Sequence, residues 1–236
     1  MNAAALERVA EGWVLNIDKP VRWTSFDVVN KIKWQFRNFG IKTKVGHTGT
    51  LDPLATGLIM VCTGKKTKQI ESLTGLDKEY TGAFFAGATT PSFDLETEPD
   101  AQFPTEHLNL QLIIDMAKSF LGTQKQLPPI YSALKVDGRR LYKSARAGQS
   151  VELTPREIFI REFEITSFEL PFIWFRVKCS KGTYIRSLAY DFGKAIGSGC
   201  YLHTLKRTAI GDHKLADALS LESATGYINN ELSKLS

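Results

Sequence analysis

The chain lacks what would mark a secreted, membrane-spanning or metal-dependent protein. It has only three cysteines, Cys62, Cys179 and Cys200. They lie far apart in no paired motif, which argues against a disulfide framework and leaves reduced, partly buried thiols. The four histidines, His47, His107, His203 and His213, share no metal-ligand spacing with one another or with a cysteine, so no metal site is expected. No apolar run approaches the roughly 18 to 20 residues that cross a bilayer. The N-terminus, MNAAALERVAEGW, lacks the basic start and long apolar core of a signal peptide, so a cytoplasmic protein is expected. Internal repeats, low-complexity tracts and any oligomerisation signal are also missing, and a monomer is the default expectation.

What is present suits a folded enzyme or binding protein. The 236 residues are 43% hydrophobic, enough for one large domain or two small ones with a real core. Lys plus Arg number 30 against 25 Asp plus Glu, a formal charge of +5. The excess is small but clustered: Lys31, Lys33, Arg37, Lys42 and Lys44; then Lys65, Lys66 and Lys68; then Arg139, Arg140, Lys143 and Arg146. Such runs follow a phosphate backbone or form a solvated helix face.

Periodicity places the elements. Residues 13–18 read as a short strand, and Ser25 as the N-cap of a helix carrying Phe26, Val29, Ile32 and Phe36 on one side. The apolar run Leu58–Cys62 reads as a buried strand, Lys65–Leu73 as a helix and Glu79–Ala88 as a strand. A polar loop over 89–104 leads to a helix from Thr105 to about Phe120, stopped by Gly122. Residues 124–150 form an excursion: a Pro-Pro pair, a strand-like piece over Tyr131–Val136, an Asp137-Gly138 turn and a basic helical piece over Arg140–Ala147. Glu157–Phe168 and Phe172–Cys179 read as an antiparallel pair, Thr183–Ile196 as a helix and His203–Ile210 as a strand. Without regular βαβ alternation, the fold class is α+β with a largely antiparallel sheet flanked by helices.

The segment from Gly46 to Gly57, GHTGTLDPLATG, is the most informative. Three glycines in twelve residues permit tight or left-handed backbone, and Pro53 restricts the backbone of Asp52. A carboxylate fixed between two strands can work on a sugar carbon or as a base. Asp-Pro also commonly opens a turn with no chemistry attached.

That segment closely resembles the signature of the TruB family of pseudouridine synthases, and further family-like segments follow in the same order. Asp18-Lys19-Pro20 with Thr24-Ser25 resembles an N-terminal Lys-Pro motif, and Asp77-Lys78-Glu79-Tyr80 a strand bearing an active-site tyrosine. Residues 127–138, LPPIYSALKVDG, resemble an RNA-gripping thumb, and residues 180–188, SKGTYIRSL, a second catalytic strand–helix junction. The resemblance spans about residues 12–211. It implies a pseudouridine synthase fold and isomerisation of the T-loop uridine at position 55 of tRNA, by base flipping and without a cofactor.

By position it implies Asp52 as catalytic carboxylate, Tyr80 as the tyrosine stacked on the target base, and Arg186 as the partner of the aspartate. His47 would fill the space the flipped base leaves, and Tyr184 and Leu205 would line the pocket. Lys19, Lys135, Arg139 and Arg146 would contact RNA. Taken singly, each has a blander reading: a helix-terminal charge for Arg186, core packing for Tyr80, Tyr184 and Leu205, a turn histidine for His47.

The resemblance has departures. Arg22 stands where a glycine is usual, Pro91 where an aspartate is, Thr97 where a glycine is, and Lys206 where arginine is common. After Ile210 too few residues remain for the PUA module many relatives carry, so a single catalytic domain over 1–236 is expected, with its thumb at about 124–150. A non-catalytic RNA-binding or tRNA-folding protein on the same scaffold is the main alternative. A P-loop at Thr63–Thr67 fails because Lys66 stands where Ser or Thr is needed. A glycosidase fails for want of a second carboxylate.

Overall fold

The computed structural model describes residues 3–131, 135–136, 139–140 and 153–235, with side chains described from residue 6 onward except at 135–136 and 139–140. The chain divides into two compact units, Met1–Tyr80 with Lys206–Ser236, and Thr81–Leu205. The boundaries fall inside two strands, Lys78–Ala86 and Cys200–Ile210.

The first unit is built on the strand Thr56–Thr63. Its run Leu58-Ile59-Met60-Val61 is fully buried, and strand alternation sends successive side chains to opposite faces. Ile59 and Val61 join Leu15, Ile17, Val28, Ile32, Phe36, Ala224, Ile228 and Leu232 on one face. Leu58 and Met60 join Ile210 on the other, closed by Leu73, Leu76 and Leu215. Fully burying each such side chain is worth about 1.5–3 kcal/mol. The strand pairs antiparallel with Val14–Lys19 and with Val45–His47. It pairs parallel with the end of Cys200–Ile210, at Lys206↔Thr56 and Arg207↔Gly57. Those four strands, with short Leu219–Ser220 and His213–Lys214 at the margins, hold the helices Ser25–Asn38 and Leu221–Ser233 on one side.

The second unit is built on the hairpin Arg156–Glu169 with Phe172–Cys179, extended by Gly122–Gln126 in antiparallel register Arg156↔Gln126 to Ile160↔Gly122. Its core is aromatic. Phe84 packs on Phe175 at 4.2 Å between ring centroids, and Phe163 meets Phe175 edge-on at 6.2 Å. Phe192, from the helix Ile185–Ala195, joins the cluster, as does Phe120 at the end of the helix Leu110–Ser119. Antiparallel pairs predominate in a mixed α+β structure, as the sequence predicts. Among the described residues no helix is long and apolar enough to cross a membrane, and the three cysteines are free and buried.

Several boundaries differ for identifiable reasons. The helix at Ser25 is capped by Thr24, whose hydroxyl accepts from the Asp27 N–H while the Asp27 carboxylate accepts from the Thr24 N–H. This reciprocal capping box outcompetes Ser25 for the cap, and Ser25 is used elsewhere. The fourth helix starts at Leu110, capped by Asn109, rather than after Thr105. Residues 65–73 divide into a 3-10 turn, Gly64–Gln69, and a short helix, Ile70–Gly75. In the 124–150 excursion, Lys135–Val136 and Arg139–Arg140 pair antiparallel. The turn at 137–138, the helix expected over 140–147 beyond Arg140, and Arg146 lie outside the described residues.

Candidate active site

In the first unit, the loop between the strands Val45–His47 and Thr56–Thr63 carries Asp52. It is a turn as well as a site, because Ala55 N–H donates to Asp52 O at 3.1 Å. Three side chains hold it from beneath. Ser25, released from capping, accepts from Leu51 N–H at 2.8 Å and donates to Leu51 O at 3.0 Å. Arg207, fully buried, donates to Leu58 O at 2.7 Å, Gly49 O at 3.2 Å and Thr50 O at 3.5 Å. Lys19 donates to Trp23 O at 2.6 Å, Pro20 O at 3.0 Å and Pro53 O at 3.5 Å. Gly57 is required where the loop becomes strand: its φ is 98°, and a Cβ there would strike the Arg207 backbone.

Lys19 is 0% exposed and its ammonium is taken up by backbone carbonyls. Through Pro53 O it ties the Asp52 loop to the strand Val14–Lys19. Burial depresses it from 10.5 to about 8, opposed by the negative charge of Asp52 and reinforced by Arg207.

A pH dependence follows. As pH rises through about 8 the ammonium loses its proton and one tie to the loop weakens, so the reaction rate is expected to fall. Stability moves the other way. A lysine depressed by folding contributes most above 10.5, and that contribution is lost as pH falls through about 8. A pH–rate profile measured beside a pH–Tm profile separates the two. A rate that stays level about two units beyond that pKa, while the fold persists, would sink the assignment.

Ser25→Ala tests the loop clamp. It strands the buried N–H and carbonyl of Leu51 and is expected to cost about 1–3 kcal/mol in urea unfolding. An unchanged midpoint would show that the clamp contributes nothing.

The other expected residues of this unit are His47 and Tyr80. Burial, reinforced by the Arg207 charge, lowers the His47 imidazole from its ordinary value, and its Nδ1 accepts from Gly49 N–H at 3.3 Å. Tyr80 is buried in the strand Lys78–Ala86.

The second unit carries Arg186, which is buried at 4% exposure and is no helix-terminal surface charge. Its Nη1 donates to Tyr131 O at 2.8 Å and Ser92 O at 3.3 Å, and its Nε lies 3.7 Å from Asp94 Oδ2. Asp94 is itself fixed, accepting from Glu96 N–H at 2.9 Å, in a loop where Phe93 takes φ 62° and stacks on Tyr190 at 4.2 Å. Tyr184 precedes the helix Ile185–Ala195, and Gln126 clamps its backbone both ways, accepting from its N–H at 2.8 Å and donating to its O at 3.1 Å. Ser187 donates to Leu127 O at 2.6 Å. The segment Gln126–Tyr131, inside the stretch 124–150 where the thumb is expected, is therefore tied to the helix that bears Arg186. Leu205 is half-buried on its strand.

Sequence reasoning missed Ser25, Arg207, Asp94 and Gln126 as site-builders. Lys135 and Arg139 are placed only as backbone in the short strand pair.

The sequence profile described as TruB family pseudouridylate synthase (N terminal domain) matches residues 37–185. The chain is similar to tRNA pseudouridine synthase B of Flavobacterium johnsoniae, with 59% identity over 91% of this chain and 95% of that protein. It is similar to tRNA pseudouridine synthase B of Phocaeicola vulgatus, with 52% identity over 94% of this chain and 95% of that protein. Among solved structures it resembles a chain of an H/ACA RNP bound to a substrate RNA containing 2'-deoxyuridine, with TM-score 0.66, 26% identity and 93% of this chain covered. It also resembles a chain of a Cbf5-Nop10-Gar1 complex, with TM-score 0.69, 25% identity and 97% of this chain covered. The present chain spans 54% and 61% of those two solved chains.

Proposed function

Because the chain belongs to the TruB family of pseudouridylate synthases, we propose that it is a tRNA pseudouridine synthase isomerising the T-loop uridine at position 55. The observation that carries this reading is the Asp52 loop, a carboxylate-bearing turn held at its backbone by Ser25, Lys19 and Arg207. Full-length similarity to two proteins named tRNA pseudouridine synthase B supports tRNA as the substrate.

In this proposal the target nucleotide leaves the RNA stack, at a cost of a few kcal/mol. His47 fills the space left behind, and Tyr80 offers the flipped base a flat face. Asp52 acts on the ribose, as nucleophile at C1′ or as the base that takes a ribose proton. Either role starts from a fixed, ionised carboxylate. The C1′–N1 bond breaks, uracil turns in the pocket, C5 bonds to C1′, the C5 proton is lost and N1 gains one. The sum is an isomerisation, which needs no redox partner and no energy source. Arg186 is assigned as the charge partner of Asp52, Tyr184 and Leu205 as pocket walls, and Lys135, Arg139 and Arg146 as thumb contacts to phosphates. A single catalytic domain, acting as a cytoplasmic monomer, completes the proposal.

Tritium release from a T-arm transcript carrying C5-tritiated uridine tests the reaction. Release with formation of pseudouridine is expected. A chain that binds this RNA and releases nothing is the scaffold protein of the alternative reading.

A further inference from the structure

Charge is distributed very unevenly along the chain. Residues 19–70 contain ten Lys or Arg against two acids, Asp27 and Asp52, while the rest of the chain carries 30 − 10 = 20 basic against 25 − 2 = 23 acidic residues. Lys19 is buried, but Arg22, Lys31 and Arg37 are exposed and Lys33 half-exposed. Among the described residues none of these four pairs with a carboxylate.

The helix Ser25–Asn38 gives part of this charge a shape. Its inner face, Val28, Val29, Ile32 and Phe36, is buried. At 3.6 residues per turn, Phe26, Asn30, Lys33 and Arg37 form a single outward stripe about 16 Å long, flanked by Trp34. Phe26 is 66% exposed and Trp34 55%. Two large aromatics left in water beside unpaired cations are costly as mere surface, but they are the two components of a nucleic-acid platform: ring faces for bases and cations for phosphates. Lys33 and Arg37 stand one helical turn apart, about 5–6 Å between Cβ atoms, which is the order of spacing between neighbouring phosphates on one strand.

The stripe also begins beside the chemistry. Ser25, adjacent to Phe26, is bonded both ways to Leu51, the residue before Asp52, and Arg22 N–H donates to Pro53 O at 2.7 Å. RNA with a nucleotide at Asp52 therefore has the N-terminal end of this helix next to it.

We infer that the outward face of the helix Ser25–Asn38 is an RNA-binding surface outside the uridine pocket and the thumb. Lys33 and Arg37 hold phosphates, and Phe26 and Trp34, about 12 Å apart along the axis, each offer a face to a separate unpaired base or ribose of the substrate strand. This rests on the reading of the chain as an RNA-modifying enzyme and names a further part of that enzyme's footprint.

The test is filter binding of a full tRNA transcript across a salt series, beside tritium release at saturating RNA. Lys33→Glu with Arg37→Glu is expected to weaken binding tenfold or more and to flatten the log Kd against log salt slope by about 2, one phosphate per side chain. Phe26→Ala with Trp34→Ala is expected to weaken it about tenfold. Turnover at saturation should match wild type in both. Lys33→Arg with Arg37→Lys, which keeps both charges, should bind as wild type. Wild-type affinity and slope in the charge-reversed variant would overturn the inference, as would equal weakening by the charge-keeping swap. Failure of wild type to release tritium would instead remove the proposed reaction, while the binding series would still judge this surface.

Discussion

Asp52→Asn is expected to lower single-turnover tritium release by roughly four powers of ten, the scale on which removal of an essential catalytic group is felt. Binding of the RNA should hardly change. Asparagine is nearly the same size as aspartate, and the loop is tied through backbone atoms: Leu51 to Ser25, Gly49 and Thr50 to Arg207, Pro53 to Lys19. Those ties do not depend on the carboxylate. One electrostatic effect does. The Asp52 charge favours the protonated form of Lys19, so the variant should lower the lysine further, a shift readable by NMR of the labelled side chain. Loss of rate with unchanged Kd places Asp52 in the chemical step. A rate within tenfold of wild type would remove it from that step and return the segment to the turn that Asp52-Pro53 also forms.

The site was legible in the sequence where its logic is local, and hidden where it is not. Residues 46–57 carry their message in one stretch: glycines for the tight backbone, proline to stiffen it, a carboxylate between two strands. The buried strand Leu58–Cys62 was equally plain, because a run apolar at every position has to be covered on both faces. The supports were invisible for a simple reason. Ser25 reaches Leu51 across 26 residues, Arg207 reaches Gly49 across 158 and Arg186 reaches Ser92 across 94. No periodicity connects such positions. Asp94, in a polar loop, showed nothing to distinguish it from a surface turn.

Two residues are used in ways their type does not suggest. A serine at a helix start most often caps it, and a lysine most often keeps its charge in water. Here burial reassigns both. Thr24 with Asp27 completes a better capping box, which frees the Ser25 hydroxyl for Leu51. Lys19, removed from water, gathers backbone carbonyls to compensate its charge. Arg186 shows the same shift, a charge that sequence alone places at a helix end and that the fold encloses.

Arg186→Lys carries the second large effect. The guanidinium serves two backbone carbonyls, Tyr131 O and Ser92 O, and a carboxylate, Asp94, from one planar group. An ammonium keeps the charge but cannot reproduce that fork. The rate is expected to fall about 100-fold, the scale of a misplacement of about 1 Å in a positioned group. Asp94→Asn tests the same pair from the other side. It removes the carboxylate that lies 3.7 Å from the buried guanidinium and is expected to cost about 1–3 kcal/mol in urea unfolding. If the two residues act together, the double variant should be no worse than the more damaging single one, with a coupling of about 1–3 kcal/mol in a double-mutant cycle. Additive losses would show that the 3.7 Å approach of Arg186 to Asp94 is proximity without consequence.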